Sequence, residues 1–395
     1  MISFDEAIAI IGEVARPLGT ERVELVKAAG RVLAVPVVAA IDSPRVDVSG
    51  MDGYAVCEDD LAGFPVTLQI VGESFPGTGW HGTLEPGKCV RIFTGAPLPD
   101  GADRVVIQEQ VRRQGDVVTI DAATGPPTWV RPRGKDFRVG DDILPAGRLL
   151  DPVALIAAGG ADLAELDVFI RPRLALLATG DELVEPGEAR SSALAVPDSV
   201  SPGLAALAER WGAEVVSRVR LPDDLRALEP AAEAAIRDAD VIVVTGGASV
   251  GERDFAKAMF EPFGLGLLFS KISMRPGKPA WLGCVGDRLI IGLPGNPTSA
   301  LVTARLLLAA LLAGLAGRRV ESASHWERVR LASPIPVCDA RETFHRAVLA
   351  NGEVSLLAFQ ESHGQKALAA ADVLVRQPAN SPALAAGEIV QALRL

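Results

Sequence analysis

The sequence predicts a multidomain protein of class α/β plus β, and three observations lead to that prediction. At 395 residues the chain is too long for one ordinary core and suggests two to four domains. Between residues 173 and 317, short continuous apolar runs alternate with alanine-rich helical windows, which favours a doubly wound parallel sheet covered on both faces. Residues 43–136 and the chain from residue 319 onward carry short β runs instead.

The first 42 residues predict a helix and then an extended segment around Arg31–Ala40. Ser3 and Glu6 form a capping-box pattern, in which each side chain bonds the other residue's backbone where a helix begins. The apolar positions of this helix are Ala7, Ile8, Ile11 and Val14. The acidic start of the chain lacks the basic stretch of a signal peptide, so we expect a cytoplasmic protein.

The next stretch predicts short strands, then a helix and a linker. Arg104–Val111 and Val117–Ile120 are joined across Gln114-Gly115-Asp116, which indicates a hairpin. A short helix is predicted over Pro152–Gly159, and Arg171-Pro172-Arg173 is typical of a linker to the following region.

The α/β region predicts four buried strands with helices between them. The strands are Leu174–Ala178, Val215–Val219, Val241–Val244 and Leu289–Ile291, and the helices are Ser201–Trp211 and Leu225–Asp238. The apolar stretch Ala300–Ala316 is 17 residues long and contains Arg305, so we expect a buried helix rather than a membrane span. Beyond it, Asn351-Gly352 lies between Val348–Ala350 and Val354–Phe359 and predicts a tight hairpin.

Charge and cysteine usage argue against several classes of protein. The net charge is −11 and the sequence has no long basic run, which disfavours binding to nucleic acid or to an anionic membrane. With four histidines and four widely spaced cysteines, a structural zinc site or a disulfide framework is also disfavoured. These cysteines are Cys57, Cys89, Cys284 and Cys338.

Three loops of the α/β region place glycines and hydroxyls directly after a predicted strand. They are Thr179–Leu183, Thr245–Asp254 and Gly292–Ser299. Doubly wound sheets bind ligands at the carboxyl ends of their strands, where helix N-termini also offer free N–H groups to anions. The sequence therefore predicts a ligand site built from these loops. Its candidate ligand-binding residues are Gly180, Asp181, Gly246, Gly247, Ser249, Gly251, Pro294, Gly295, Asn296 and Ser299.

A basic segment, Lys271–Pro279, lies between the second and third of these loops. The chain contains only seven lysines, and two of them, Lys271 and Lys278, stand here together with Arg275. We interpret the segment as a receptor for phosphate or another oxyanion. A solvated turn whose basic side chains extend into water is the alternative.

Five carboxylates lie in predicted turns rather than on the charged face of a helix. They are Asp52, Asp136, Glu182, Asp223 and Asp254. Converging carboxylates suit a hard cation such as Mg²⁺, held together with waters and a substrate phosphate. Each of them singly is more often a turn or cap residue, so this hypothesis requires the fold to bring them into one cleft.

Two further motifs suggest other functions. Gly82–Cys89 is close to a phosphate-binding P-loop, but it ends in cysteine rather than a hydroxyl residue, and Pro86 removes an N–H from the loop. Gly247–Gly251 matches the nucleophile elbow of hydrolases and would make Ser249 the nucleophile. A serine hydrolase, with a base supplied by His325, His345 or His363, is thus an alternative.

The single tyrosine, Tyr54, lies in Ser49-Gly50-Met51-Asp52-Gly53-Tyr54-Ala55-Val56, where Gly53 permits a positive φ or a close ligand contact. This octapeptide resembles the fingerprint of the molybdopterin molybdenumtransferase family, of the MoeA and gephyrin E-domain type. The resemblance continues in order along the chain through Arg91–Asp103, Gly134–Asp136, the three strand-end loops, Pro276–Pro279, Phe344–Arg346 and Ser362-His363.

The resemblance implies four domains and a homodimer whose cleft takes residues from both chains. Residues 1–42 with 137–170 would form an elongated N-terminal domain, and 43–136 an inserted mostly-β domain. Residues 171–318 would form a doubly wound α/β molybdopterin-binding domain. Residues 319–395 would form a C-terminal β-barrel-like domain.

The resemblance also implies a reaction, in which molybdenum from molybdate is inserted into adenylyl-molybdopterin and AMP is released. Mg²⁺ would assist, and a molybdopterin adenylyltransferase would supply the substrate. Lys271, Arg275 and Lys278 would hold the pyrophosphate and molybdate, while Asp52, Glu182, Asp223 and Asp254 would position the cation and water. Thr94, Ser249 and Asn296 would donate hydrogen bonds, Arg346 and Ser362 would seat molybdate, and Asp136 joins the candidate catalytic carboxylates.

Three positions depart from the family pattern. Val200 stands where the family usually has asparagine, and Arg275 often corresponds to a lysine. Glu361 stands where a glycine usually precedes the serine–histidine pair, so it adds a negative charge near the expected oxyanion site. A relative that handles tungstate, or a scaffold without turnover like eukaryotic gephyrin, is left open as an alternative.

Overall fold

The computed structural model describes residues 1–123, 125, 127–246 and 255–395. The described residues form three six-stranded sheets, several two-stranded pairs and a set of helices. One six-stranded sheet lies in the 43–136 stretch, one in the α/β region and one near the C-terminus. The predicted class, α/β plus β, is confirmed.

The first helix, Phe4–Val14, begins at the predicted capping box. The Ser3 hydroxyl accepts the N–H of Glu6 at 3.1 Å, and the Glu6 carboxylate accepts the N–H of Ser3 at 2.7 Å. The buried face of this helix packs into the hydrophobic core of the α/β region. Phe4 also contacts the ring of Phe344 near the C-terminus, with the ring centroids 5.1 Å apart.

The segments that flank residues 43–136 share a small core. Thr20–Glu24 pairs antiparallel with Glu165–Phe169, and Val37–Val38 pairs antiparallel with Asp142–Leu144. The predicted short helix is observed over Pro152–Gly160, where the side chain of Asp151 accepts the N–H of Ala154 at 2.9 Å. Apolar side chains from both segments, including Leu33, Leu150 and Val168, fill the space between these elements.

The 43–136 stretch forms a six-stranded sheet. In spatial order its strands are Arg104–Ile107, Gly53–Val56, Lys88–Ile92, Val66–Ser74, Val117–Ile120 and Val111–Gln114. The predicted hairpin exists between the last two strands, with Gly115 at a φ of +60° in the turn. The expectation that its first arm extends back to Arg104 was wrong. A turn at Gln108–Gln110 ends that strand, and Arg104–Ile107 pairs with Gly53–Val56 instead.

The α/β region is built on a mixed sheet. In spatial order its strands are Glu214–Leu221, Arg173–Thr179, Val241–Thr245, Arg288–Leu293, Trp281–Val285 and Gly266–Phe269. The first four are parallel, as predicted. Trp281–Val285 runs antiparallel to them, and Gly266–Phe269 in turn pairs antiparallel with Trp281–Val285. Only two residues, Gly286 and Asp287, join Trp281–Val285 to Arg288–Leu293, and such a short connection permits only antiparallel pairing.

Helices cover this sheet, and the longest of them is the core helix, Pro297–Leu315. It is long and apolar enough to cross a membrane, but 94% of its apolar window is buried in the protein, which fits the predicted buried helix. The Arg305 guanidinium donates to the carbonyls of Arg394 (2.7 Å) and Ala323 (2.8 Å). Burial lowers the pKa of Arg305 to about 10.

Five strands near the C-terminus close into a barrel. They are Glu327–Leu331, Glu342–Ala350, Glu353–Leu356, Val373–Gln377 and Ile389–Arg394. The predicted hairpin turn is present, because Asn351 and Gly352 both adopt positive φ, at 53° and 79°. A sixth strand, Met274–Arg275 of the basic segment, pairs with Glu342 and Thr343 and so attaches that segment to the barrel.

Candidate functional site

The described parts of the three predicted loops meet at one edge of the mixed sheet, where they line a cavity of about 560 Å³, termed the sheet-edge cavity. Its lining includes Gly180, Glu182, Asp223, Gly246, Pro294, Gly295 and Asn296. These residues belong to strand ends separated by more than a hundred positions in sequence. The parallel order of their strands places them side by side, as the sequence predicted.

Glycine is required where the loops pack against each other. Gly246 has a φ of +88°, and a Cβ built on it would lie 2.3 Å from the Thr179 carbonyl oxygen. A Cβ on Gly295 would lie 3.3 Å from the Cα of Gly246. The glycines therefore let three backbone segments approach each other more closely than side chains would allow.

The sheet-edge cavity has both acidic and apolar residues in its lining. The acidic residues are Glu182, Asp198 and Asp223, and the apolar ones include Leu183, Val196 and Val200. Asp181 does not line the cavity; its side chain accepts the N–H of Asp223 at 3.1 Å and so supports the Asp223 loop. Such a cavity suits a flat molecule with an apolar face and polar edges.

A second cavity of about 420 Å³, termed the cationic cavity, lies between the basic segment and the barrel. Its lining brings together Arg275, Lys278, Ser299, Arg346 and Ser362, five of the predicted site residues. The two cavities are neighbours, because Pro279 lines both of them. They flank the first turn of the core helix, where Asn296 faces one cavity and Ser299 the other.

Arg346 is buried behind the cationic cavity, with 1% of its surface exposed. Its Nη2 donates to the carbonyls of Phe359 (3.0 Å) and Glu361 (3.3 Å). Its buried Nε meets no acceptor among the residues that the structure describes. Burial lowers the pKa of Arg346, but an arginine remains charged at neutral pH. A buried cation with an unfilled donor is a suitable receptor for an anion.

Gln360 holds Arg346 in place from both sides of its backbone. Its side-chain oxygen accepts the N–H of Arg346 at 3.0 Å, and its side-chain nitrogen donates to the Arg346 carbonyl at 2.8 Å. Sequence reasoning did not identify Gln360, because this contact depends on the barrel pairing rather than on a local motif. Its position two residues before Ser362 was the one signal in the sequence.

His345 lines the same cavity, and its Nε2 lies 2.8 Å from the side-chain oxygen of Gln377. Burial lowers the pKa of His345, and the nearby charges of Arg275 and Arg346 lower it further. The imidazole is therefore neutral at pH 7 and leaves the positive charge of the cavity to its arginines and lysine.

Asp52 and Thr94 form a separate pair in the 43–136 sheet. One carboxylate oxygen of Asp52 accepts both the N–H of Thr94 (2.7 Å) and its hydroxyl (2.8 Å). These hydrogen bonds, together with the charge of Arg91, lower the pKa of Asp52. Neither residue lines the sheet-edge cavity or the cationic cavity of the same chain.

Asp136 and Lys271 are also apart from both cavities within one chain. Asp136 lines a different hollow, of about 780 Å³, and its N–H donates to the Ser43 carbonyl at 2.9 Å. Lys271 is exposed, and its carbonyl accepts the N–H of Ile2 at 3.1 Å. The predicted residues Gly247, Ser249, Gly251 and Asp254 lie outside the described residues.

The predicted carboxylates do not form a single cluster within one chain. Among the described residues, no group of three or more His, Cys, Asp or Glu side chains could share a metal ion. Glu182 and Asp223 do line one cavity together, and carboxylate oxygens are the ligands that Mg²⁺ prefers. A pair of carboxylates with substrate phosphate and water is a usual magnesium arrangement, so these two residues fit that ion.

Three family models match the chain. Residues 2–160 match the MoeA N-terminal region (domain I and II), 175–314 a probable molybdopterin binding domain, and 328–395 the MoeA C-terminal region (domain IV). Together these models cover most of the chain.

Relatives and solved structures agree with these models. The chain is 35% identical over 375 residues to the molybdopterin molybdenumtransferase of Haemophilus influenzae, which covers 92% of this chain and 91% of that protein. It is 33% identical over 402 residues to molybdopterin molybdenumtransferase 2 of Mycobacterium tuberculosis, covering 99% of each. The crystal structure of the molybdopterin biosynthesis MoeA protein from Pyrococcus horikoshii OT3 superposes with a TM-score of 0.84 at 25% identity, over 100% of both chains.

Proposed function

This chain belongs to the molybdopterin molybdenumtransferase family, and from that membership we propose that it inserts molybdenum from molybdate into adenylyl-molybdopterin and releases AMP. It is a transferase of molybdenum cofactor biosynthesis. The observation that carries the proposal is the adjacency of the two cavities across the first turn of the core helix. One cavity suits a flat molecule with polar edges, and the other suits an oxyanion.

In this proposal the sheet-edge cavity holds the substrate's pterin and phosphates. Backbone N–H groups of the glycine-rich loops and the side chain of Asn296 donate to them. Glu182 and Asp223 would hold Mg²⁺, which neutralises part of the phosphate charge when it is bound. Asp254 belongs to the same loop system by sequence and would join these carboxylates.

The cationic cavity seats molybdate. Arg275 and Lys278 supply two exposed positive charges, and Arg346 supplies a buried one from the barrel. Ser299 and Ser362 add neutral donors. Because Pro279 borders both cavities, molybdate bound here would lie close to the substrate in the sheet-edge cavity.

A second copy of the chain completes the site in our proposal. Asp52, Thr94, Asp136 and Lys271 stand apart from both cavities within one chain, so a partner would bring them to the cleft. The short helix Pro152–Gly160 exposes apolar side chains: Val153 is 72% exposed and Ile156 76%. Exposed apolar surface of this kind is typical of an interface between protein chains. We also propose a cytoplasmic location and substrate delivery by a molybdopterin adenylyltransferase.

The function can be tested by incubating the protein with adenylyl-molybdopterin, molybdate and Mg²⁺, then measuring AMP by chromatography and pterin-bound molybdenum by mass spectrometry. We expect Lys278→Ala to lower molybdenum insertion by about tenfold or more, because a charge-assisted hydrogen bond contributes roughly 1.5–3 kcal/mol. Lys27→Ala, at an exposed lysine paired with Glu24, is the matched control and should act like the wild type. Equal molybdenum insertion by the two variants would contradict the assignment of molybdate to the cationic cavity. Absence of AMP release by the wild type would contradict the proposed reaction.

A further inference from the structure

Glu361 lines the cationic cavity, and its charge acts on the buried Arg346. Its backbone is fixed from two directions. Its own carbonyl accepts Nη2 of Arg346 at 3.3 Å, and the carbonyl of the next residue, Ser362, accepts the N–H of Thr298 at 3.1 Å. The loop is thus held between the barrel and the first turn of the core helix. The backbone of Glu361 is therefore held at the lining of the cavity.

The negative charge of Glu361 is not cancelled by a close partner. The other acidic residue on the cavity wall, Asp339, forms an ion pair with Arg341 at 3.8 Å and accepts the Arg341 N–H at 2.8 Å. Glu361 forms no ion pair with any residue that the structure describes, and its side chain is exposed. Its charge acts on Arg346, where it opposes the effect of burial on the pKa of that guanidinium.

An incoming oxyanion and the carboxylate of Glu361 therefore interact with the same positively charged side chains. The oxyanion gains from Arg275, Lys278 and Arg346, but it is repelled by that carboxylate. Coulomb repulsion grows in proportion to the charge of the oxyanion, so it acts twice as strongly on a dianion as on a monoanion of the same size.

We propose that Glu361 sets the charge selectivity and affinity of the cationic cavity, by weakening the binding of dianionic oxyanions more than that of monoanions. Molybdate, a dianion, then binds reversibly rather than remaining trapped among three cations. The inference rests on the proposed function, because it assigns molybdate to this cavity.

The test compares two tetrahedral oxyanions of similar size, tungstate with two negative charges and perrhenate with one, alongside molybdate. Binding to the full-length protein is measured by titration calorimetry at fixed ionic strength in a buffer free of sulfate and phosphate, since salt screens the effect. In Glu361→Gln we expect the Kd of molybdate and tungstate to fall about tenfold and that of perrhenate about threefold, because the free-energy change scales with charge.

Two variants serve as controls. Glu361→Asp keeps the charge and should bind the dianions much as the wild type does. Glu353→Gln removes an exposed carboxylate from a neighbouring barrel strand that does not line the cavity, and it should leave every Kd unchanged. Thermal melting of each variant checks that the fold is intact.

The outcomes separate this inference from the function on which it rests. Unchanged Kd values in Glu361→Gln, or equal gains for tungstate and perrhenate, would overturn the role of Glu361. In either of these cases, loss of molybdate binding in Lys278→Ala would still support the cationic cavity as the molybdate site. If neither the wild type nor Glu361→Gln binds molybdate or tungstate, both the seat and the role of Glu361 are wrong.

Discussion

Asp52 accepts two hydrogen bonds from a single residue, Thr94, on a neighbouring segment of its sheet. Arg91 supports the same corner: its guanidinium lies 5.0 Å from the Tyr54 ring centroid and 5.1 Å from that of Phe93. The sequence predicted Asp52 and Thr94 as site residues but could not predict that they bond to each other, because they are 42 positions apart and meet only through strand pairing.

Thr94→Val tests this pair, because it removes the hydroxyl donor and keeps the backbone donor. We expect the pKa of Asp52 to rise toward its ordinary value and molybdenum insertion to fall. In the wild type, the lowered pKa means that the ionised carboxylate adds stability above the unfolded-state pKa of about 3.9 and that this contribution is lost as pH falls through the folded pKa.

Carbon-13 NMR of the aspartate carboxyl groups measures the pKa of Asp52. Thermal melting as a function of pH, on the acid side of neutrality, measures how much stability is lost when Asp52 is protonated. Thr67→Val is the matched control, because the Thr67 hydroxyl lies 3.4 Å from the Thr119 hydroxyl, on a different strand pair of the same sheet from Asp52. An unchanged Asp52 titration in Thr94→Val would show that the hydroxyl does not stabilise the carboxylate.

Elements of regular secondary structure differ in how well the sequence predicts them. The helix over Leu225–Asp238 follows from its alanine-rich sequence, and the buried parallel strands follow from their continuous apolar runs. The two antiparallel strands, Trp281–Val285 and Gly266–Phe269, were missed. The Gly286-Asp287 turn was an available hairpin signal for the first of them, whereas Gly266–Phe269 is short and largely exposed and carries no clear pattern.

Gly53 also has a different role from the one that its sequence context suggested. It adopts no positive φ; it lies in the strand Gly53–Val56 beside Arg104–Ile107. A Cβ at this position would lie 2.1 Å from the carbonyl oxygen of Val106. The residue is needed for the close approach of two strands, and through them for the position of Asp52.

Gly53→Ala is therefore expected to lower the thermal midpoint by several degrees, because the backbone must move to admit a methyl group, which costs roughly 1–3 kcal/mol. Differential scanning calorimetry measures the change. Gly63→Ala provides the control, since Gly63 has no positive φ and a Cβ there would meet nothing within 4 Å. Similar melting of the two variants would contradict the packing role of Gly53.

On the scale of the whole molecule, the fold of one chain brings some of the predicted site residues together and leaves the others apart. The sheet topology unites the strand-end loops, and the strand Met274–Arg275 brings the basic segment to the barrel. Both follow from long-range pairing that local sequence patterns do not encode. The Asp52–Thr94 pair belongs to another sheet, and the sequence could link it to the cavities only through a family resemblance and a second chain.

Mixing two inactive variants tests our proposal that two chains share the site. Asp52→Ala and Lys278→Ala homodimers should each have little activity, whereas random mixing of the chains should restore roughly a quarter of the wild-type sites by symmetry. The rate of molybdenum insertion after co-refolding or co-expression is the measurement. Lys278→Ala mixed with Ser362→Ala should not recover, because both changes affect the same cavity. Failure of the first mixture to recover would place Asp52 outside a shared cleft.

The beginning of the chain is joined to the basic segment some 270 positions later. The N–H of Ile2 donates to the Lys271 carbonyl at 3.1 Å, and the Ser273 N–H donates to the Ile2 carbonyl at 2.7 Å, so residue 2 braces the stretch of chain that leads into Arg275. We therefore expect an affinity tag fused to Met1 to change anion affinity more than a tag fused to Leu395 does, through the position of Arg275, and titration of molybdate into both preparations is the measurement.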